Sequence, residues 1–176
     1  MRLPTGRTPF QQAWVVNDIE QTARSWSASL NIGPFYIAEY TPDMFEFIDY
    51  RGGAGSLHMK TAIAYSGDSQ IELVEPLGTA PSIYRDVYEN GQTGFHHLCF
   101  WSDEFERDLE HHVSQGHVIA NEGKMKRGPR FAYVDATETL NCVIEVLERR
   151  PALVALFDEW REAAKSWDGK RPVVKL

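Results

Sequence analysis

The stretch FQQAWVVNDIEQ, residues 10–21, decides the reading of this chain, because its pattern returns as FHHLCFWSDEFE at residues 95–106. The first copy opens with aromatic, β-branched and Gln residues and the second with an aromatic-rich run, and both read as strands. Each then turns at a polar pair, Asn17-Asp18 or Ser102-Asp103. Gln21 stands three residues after Asp18, and Glu106 three after Asp103, which is the capping-box signal for a helix start. The first helix carries Ile19, Ala23, Trp26 and Leu30 at helical spacing and stops at Gly33-Pro34. The second carries Phe105, Leu109 and Val113 and stops at Gly116.

Strands are predicted after the first helix at residues 35–40, 45–50, 57–65 and 70–75. After the second they are predicted at 117–120, 130–134 and 141–147. Between the copies, residues 76–81 break the pattern and residues 82–89 form a short helix closed by Asn90-Gly91. Strand, capped helix, glycine stop and several strands therefore occur twice, a degenerate βαβββ repeat.

The chain has 176 residues, enough for one domain of ordinary size that buries its surface without disulfides or structural zinc. Its net charge of −7 argues against general nucleic-acid binding. A charged fraction of 24% with 12% aromatics argues against disorder. No apolar run approaches the roughly 20 residues that span a bilayer, and residues 1–6 carry no hydrophobic signal region. Cys99 and Cys142 sit in apolar runs and read as free buried thiols. These observations predict a soluble cytoplasmic protein with no membrane or nucleic-acid partner.

The tail differs from the repeat. Pro151 suits a first helical turn. Leu153, Leu156, Phe157, Trp160, Ala164 and Trp167 recur at helical spacing, and Gly169 is placed to end the helix. This amphipathic helix, residues 151–169, must pack on the sheet of its own chain or on a partner.

Several familiar sites are absent: a Gly-x-Ser-x-Gly elbow, a Walker loop and a Cys-x-x-Cys pair. Arg51-Gly52-Gly53-Ala54-Gly55 lacks dinucleotide-binding spacing and precedes a strand, so it reads as a flexible connection. The informative residues are polar groups within strands. Glu145 has Val143 and Leu147 on its own face and Ile144 and Val146 on the other, so its carboxylate needs a partner or a metal. Glu72 shares a face with Gln70 and Val74, which a half-solvated strand also explains. His96 and His97 both have apolar neighbours, which fits a core histidine as well as a ligand. Gln11 means little alone. Their places in the repeat change the weighing. Gln11 and His97 lie in the first strands of the two units, Glu72 and Glu145 in the last. A duplicated fold would bring the four together as an octahedral divalent-metal site with two open positions.

With QQAWVVNDIEQTARSW, IELVEPLG, GFHHLCFW and VIEVLE, the chain resembles the vicinal oxygen chelate superfamily, in the branch holding glyoxalase I and methylmalonyl-CoA epimerase. The resemblance spans roughly residues 8–148 and leaves the tail outside. It implies an α+β fold, two βαβββ modules forming a curved, largely antiparallel sheet around a central site. Module 1 covers about 8–75, the linking helix about 81–90 and module 2 about 94–148, within one domain over 1–150. It implies one divalent ion, Zn, Ni, Co, Mn or Fe, on Gln11, Glu72, His97 and Glu145. This Gln, Glu, His, Glu set is that of animal-type glyoxalase I. The epimerases begin with His, and extradiol dioxygenases use two His and one Glu, so Gln11 departs from both.

The implied activity is isomerase, epimerase or lyase chemistry through a metal-stabilised enolate of a small carbonyl or thioester substrate. Glu145, in its apolar strand, is the preferred base and Glu72 the second. The alternative is a non-catalytic binding protein of the antibiotic-sequestering type. A homodimer is expected, with the site within one chain or shared between two. For substrate contacts, Tyr84 and Arg85 on the linking helix are candidates for the mouth of the site. Lys126 and Arg127, in a basic cluster with Lys124 and Arg130, are candidates for an anionic substrate such as a CoA or glutathione derivative, or else a solvated hairpin. Trp14, Phe35, Tyr36 and Tyr40 offer aromatic walls, or core.

Overall fold

A computed structural model describes residues 7–89 and 91–176, so the expectations for residues 1–6 and for Asn90 lie outside the described residues. Module 1 runs β1 (Gln11–Val15), α1 (Ile19–Leu30), β2 (Phe35–Tyr40), β3 (Phe45–Tyr50), β4 (Gly53–Ala54), β5 (Met59–Ser66) and β6 (Ser69–Pro76). The short α2 (Ile83–Val87) links it to module 2. There follow β7 (Gly94–Ser102), α3 (Phe105–Ser114), β8 (Val118–Met125), β9 (Arg130–Ala136), the single turn α4 (Thr137–Leu140) and β10 (Cys142–Glu148). The tail forms α5 (Pro151–Lys165) and β11 (Val173–Lys175).

The eleven strands make one curved sheet in the order β11-β2-β5-β6-β1-β7-β10-β9-β8-β3-β4. The two repeats are visible in it, β2-β5-β6-β1 and β8-β9-β10-β7, joined where β1 and β7 run antiparallel. Among the described residues, only β1–β6, β7–β10 and β2–β11 pair in parallel.

Local chemistry explains much of this order. Asp18 caps α1, accepting from the Gln21 amide at 2.9 Å. The helix ends at Asn31 in the left-handed conformation, two residues before the Gly33-Pro34 expected to stop it. In the second copy Glu104, without a side-chain capping bond, occupies the position expected of Asp103.

The main departure from the sequence reading is β3. The later strands β5 and β6 stay with β2 and β1 of module 1, but β3 crosses over and pairs with β8 of module 2. Residues 51–55 are therefore not a loose connection but the turn and return strand of a β3–β4 hairpin. Arg51, in the left-handed region at φ 49°, clamps it by donating to Asp86 on α2 at 2.8 Å and to Asp135 on β9 at 2.9 Å. Gly123 of β8 permits the close pairing. A Cβ there would stand 2.5 Å from the Phe131 ring and 2.6 Å from Ile48 of β3.

Alternation divides the sheet into two faces. Ile71 and Leu73 of β6 pack with Ile19 and Ala23 of α1 on the outer face. Ile144 and Val146 of β10 likewise pack with Phe105 and Leu109 of α3. The inner face collects Val74, Cys99, Tyr133, Val143 and Leu147. The tail helix α5 packs on β5 of its own chain, with Phe157 buried against Ile63 and Tyr65. It ends at Lys165, before the expected Gly169, and Trp167 turns onto Gly33, where a Cβ would lie 2.8 Å from its ring. The chain then adds β11 beside β2, a strand the sequence reading did not contain.

Candidate metal and active site

The four residues singled out from the repeat come together on the inner face of the four central strands, β6, β1, β7 and β10. They occupy two adjacent rungs. In one rung Gln70, Gln11, Cys99, Glu145 and Tyr133 stand side by side through the registers Gln11↔Gln70, Gln11↔Cys99, Glu145↔Cys99 and Glu145↔Tyr133. In the next, Glu72, Ala13, His97 and Val143 do so. Ala13 and Cys99 are small and fully buried at the centre of these rungs, so larger side chains on either side can lean over them. All four candidate ligands come from one chain.

His97 Nε2 lies 3.1 Å from Glu145 Oε2 and 3.3 Å from Glu72 Oε2. It makes no well-formed hydrogen bond, and neither does Gln11 Oε1, although both atoms are buried. Two unsatisfied buried polar atoms beside two carboxylates need an explanation. A donor set of imidazole nitrogen, two carboxylates and an amide oxygen fits a divalent cation. Glu72, His97 and Glu145 form the one such cluster of His, Cys, Asp and Glu among the described residues, with ligand atoms within 4.8 Å of one another.

Buried partners hold two of these side chains in place. Gln11 donates through Nε2 to Gln70 Oε1 at 2.6 Å, and Gln70 donates through Nε2 to the Tyr65 hydroxyl at 2.7 Å. This relay fixes the Gln11 amide and leaves its oxygen without a partner, in a side chain that lines the same cavity as Glu72 and Glu145. His96 plays the matching part for His97. The register passes from Ala13↔His97 directly to Trp14↔Phe95, so His96 is the extra residue of a β-bulge. The bulge brings His96 among the inner-face rings, 4.8 Å from that of Tyr84, with its Nδ1 2.9 Å from His97 Nδ1.

Burial keeps the His96 imidazole well below the usual histidine range, so it is neutral. With its Nε2–H toward the Ile83 carbonyl, its Nδ1 accepts from His97 Nδ1–H. That tautomer leaves His97 Nε2 for the site. Burial alone would lower His97, but Glu145 and Glu72 outweigh it and push the imidazole up to about 9. Burial also raises the Glu72 carboxyl, with His97 opposing and Glu145 adding. Burial and the neighbouring Glu145 push the Cys99 thiol up, which makes it a packing residue and not a nucleophile.

Above this cluster lies an open-mouthed chamber with about 120 Å³ of internal free volume. Gln11, Glu72 and Glu145 form its floor, and Tyr36, Tyr40, Phe45, Met59, Phe131 and Tyr133 contribute walls. Leu153, Leu156, Phe157 and Trp160 of α5 close one side. Of the aromatic candidates, Tyr36 and Tyr40 thus line the chamber, while Trp14 and Phe35 pack under α1 on the outer face.

The substrate-contact candidates fall in different places. Tyr84 is 1% exposed and bonds the Tyr133 hydroxyl at 2.7 Å, so it is core and not mouth. Arg85 donates to the carbonyls of Pro76 and Gly78 and does not line the chamber. Lys126 and Arg127 sit on the β8–β9 turn between Met125 and Pro129, which line the chamber, but are not in its wall themselves. Gln70, His96 and the α5 wall were missed as site residues. Only the doubled histidine and the tail's apolar stripe signalled them in the sequence.

Paired modules with a buried His–carboxylate cluster at their seam define the class of this protein. Over residues 10–133 the chain matches the glyoxalase/bleomycin resistance protein/dioxygenase superfamily, and it belongs to that family. Its fold is similar to that of a hypothetical protein from Bacillus halodurans C-125, with a TM-score of 0.61 and 20% identity over 83% of this chain and 96% of that one. It is also similar to methylmalonyl-CoA epimerase from Mycobacterium tuberculosis, with a TM-score of 0.60 and 18% identity over 88% and 97%. A variant of the Streptomyces coelicolor epimerase in complex with 2-nitronate-propionyl-CoA gives a TM-score of 0.57 and 14% identity over 81% and 98%. No curated protein sequence matches. No helix among the described residues is long and apolar enough to cross a membrane.

Proposed function

We propose that this chain is a divalent-metal-dependent isomerase, epimerase or lyase that moves a proton beside the carbonyl of a small carbonyl or thioester substrate. The observation behind this reading is the convergence of Gln11 Oε1, His97 Nε2 and the Glu72 and Glu145 carboxylates under one apolar chamber. These four residues would hold the ion, which when bound supplies Lewis acidity toward a substrate oxygen. Glu145 and Glu72 come from opposite sides of the β1–β7 seam, so one carboxylate can take a proton and the other return it. The apolar walls keep water from the exchanging proton.

The test is hydrogen exchange in deuterated water over 2-oxo compounds and acyl-CoA thioesters, with and without added metal. Metal-dependent exchange on at least one of them is expected. Metal uptake with no exchange on any would favour ligand sequestration instead.

Metal uptake itself should depend on pH. A ligating imidazole is neutral, whereas His97 without metal is protonated up to about pH 9. Binding at pH 7 should therefore release about one proton, and affinity should rise about tenfold per pH unit toward that value. Calorimetry in buffers of different ionisation heat measures the release, and a buffer-independent heat would contradict it.

The Gln70 relay gives a second expectation. Gln70→Leu strands the Gln11 amide and should weaken Co(II) binding about 10- to 100-fold. Following the Co(II) absorption bands during titration checks this, and unchanged affinity would remove Gln70 from the site.

A further inference from the structure

We infer that the chamber receives a carbonyl compound with an uncharged apolar body, aryl or branched alkyl, held beneath α5, and that Trp160 sets its selectivity. This rests on the metal-centred reading and adds the substrate class to it. The first ground is charge. Among the described residues, Glu72 and Glu145 are the only carboxylates in the chamber's lining, and no lysine or arginine joins them. Phosphates or several carboxylates on the body of a substrate, away from the metal, would find no lysine or arginine in the wall to pair with, and buried unpaired charge is costly.

The cations around the chamber are mostly engaged elsewhere. Lys124 pairs with Glu46 at 2.7 Å, and Arg130 with Glu122 at 2.7 Å and with Glu106. Lys126 and Arg127 form no salt bridge among the described residues, but they stand outside the wall, on the turn.

The second ground is the wall that α5 supplies. The helix lies beyond the family-matched segment, which ends at residue 133. Trp160 stacks on Tyr36 with ring centroids 4.6 Å apart and planes 9° from parallel, so the indole is fixed and not a loose flap. Phe157 holds the same helix against the Phe10 and Trp101 rings. A rigid aromatic surface opposite a polar floor favours a ligand with an oxygen-bearing end and a flat or branched apolar body.

The experiment titrates acetophenone, propiophenone, butyrophenone and valerophenone into the full chain, metal-free and Co(II)-loaded, with butyryl-CoA as comparator. Binding should tighten about fourfold per added methylene in both forms. Butyryl-CoA should bind more weakly than butyrophenone. Trp160→Ala should reduce the ratio of valerophenone to acetophenone affinity by about three- to tenfold. Trp160→Phe should restore the ratio, which separates selectivity from a folding defect.

A flat series would overturn the inference. So would tighter binding of butyryl-CoA that is lost in Lys126→Glu/Arg127→Glu. If the chain takes up no Co(II) while the ketone series keeps its slope, the metal-centred reading falls and the chamber assignment stands.

Discussion

Glu145→Gln should lower the rate of metal-dependent proton exchange by about 10²- to 10⁴-fold, the usual contribution of a positioned base. The carboxylate is 6% exposed and flanked on its own face by Val143 and Leu147. The amide has nearly the same shape, so strand β10 keeps its packing, but it cannot accept a proton. Cys99 beside it is a poor substitute, because burial holds its thiol protonated. Tyr133 across the rung is no better, since burial and the Glu145 charge raise its phenol well above the ordinary value. Glu72 is the remaining carboxylate in the cluster. Because Glu145 is also a proposed ligand, exchange must be compared at measured, equal metal occupancy. A Glu145→Gln protein with bound metal and undiminished exchange would transfer the role of base to Glu72.

Phe157→Ala should destabilise the protein by about 3 kcal/mol, the lower end of the range for a buried phenylalanine, because one side of the ring borders the chamber and not packed atoms. The ring joins Trp101 at 5.9 Å, Trp160 at 5.6 Å and Phe10 at 6.3 Å, and it is the one buried residue of α5. For a chain of this size that corresponds to a fall in Tm of about 6–12 °C. The ligands sit on β6, β1, β7 and β10, none of which depends on α5 for its pairing, so metal uptake should survive the substitution. Thermal unfolding and metal content measured on the same sample check both halves. A Tm within about 1 °C of the parent would show that α5 contributes little to the fold.

These two residues also mark how far the sequence could be read. Glu145 was legible because a carboxylate in a run of apolar strand residues is costly unless something compensates it. The repeat then placed it opposite Glu72, Gln11 and His97. Phe157 was legible only as part of an apolar stripe. The stripe required a partner surface but named none, since apolar contact is non-directional and fits any apolar surface.

Alternation and capping in the sequence determined the repeated βαβββ order, and burial cost singled out Glu145. Gln11, Glu72 and His97 were picked out by their places in the repeat and by the family resemblance, not by any local rule. Four features were decided by tertiary structure alone. β3 left its own module for β8, because hydrogen-bonding edges accept any strand whose faces match. His96 turned inward through a bulge that breaks the alternation the sequence reading assumed. Gln70 became a buried support for Gln11, because the strand expected to be half-solvated is covered on both faces. The tail helix became a wall of the chamber and not a free surface. In each case the deciding partner is remote in sequence, and pairing between distant segments depends on the assembled sheet, which no local pattern encodes.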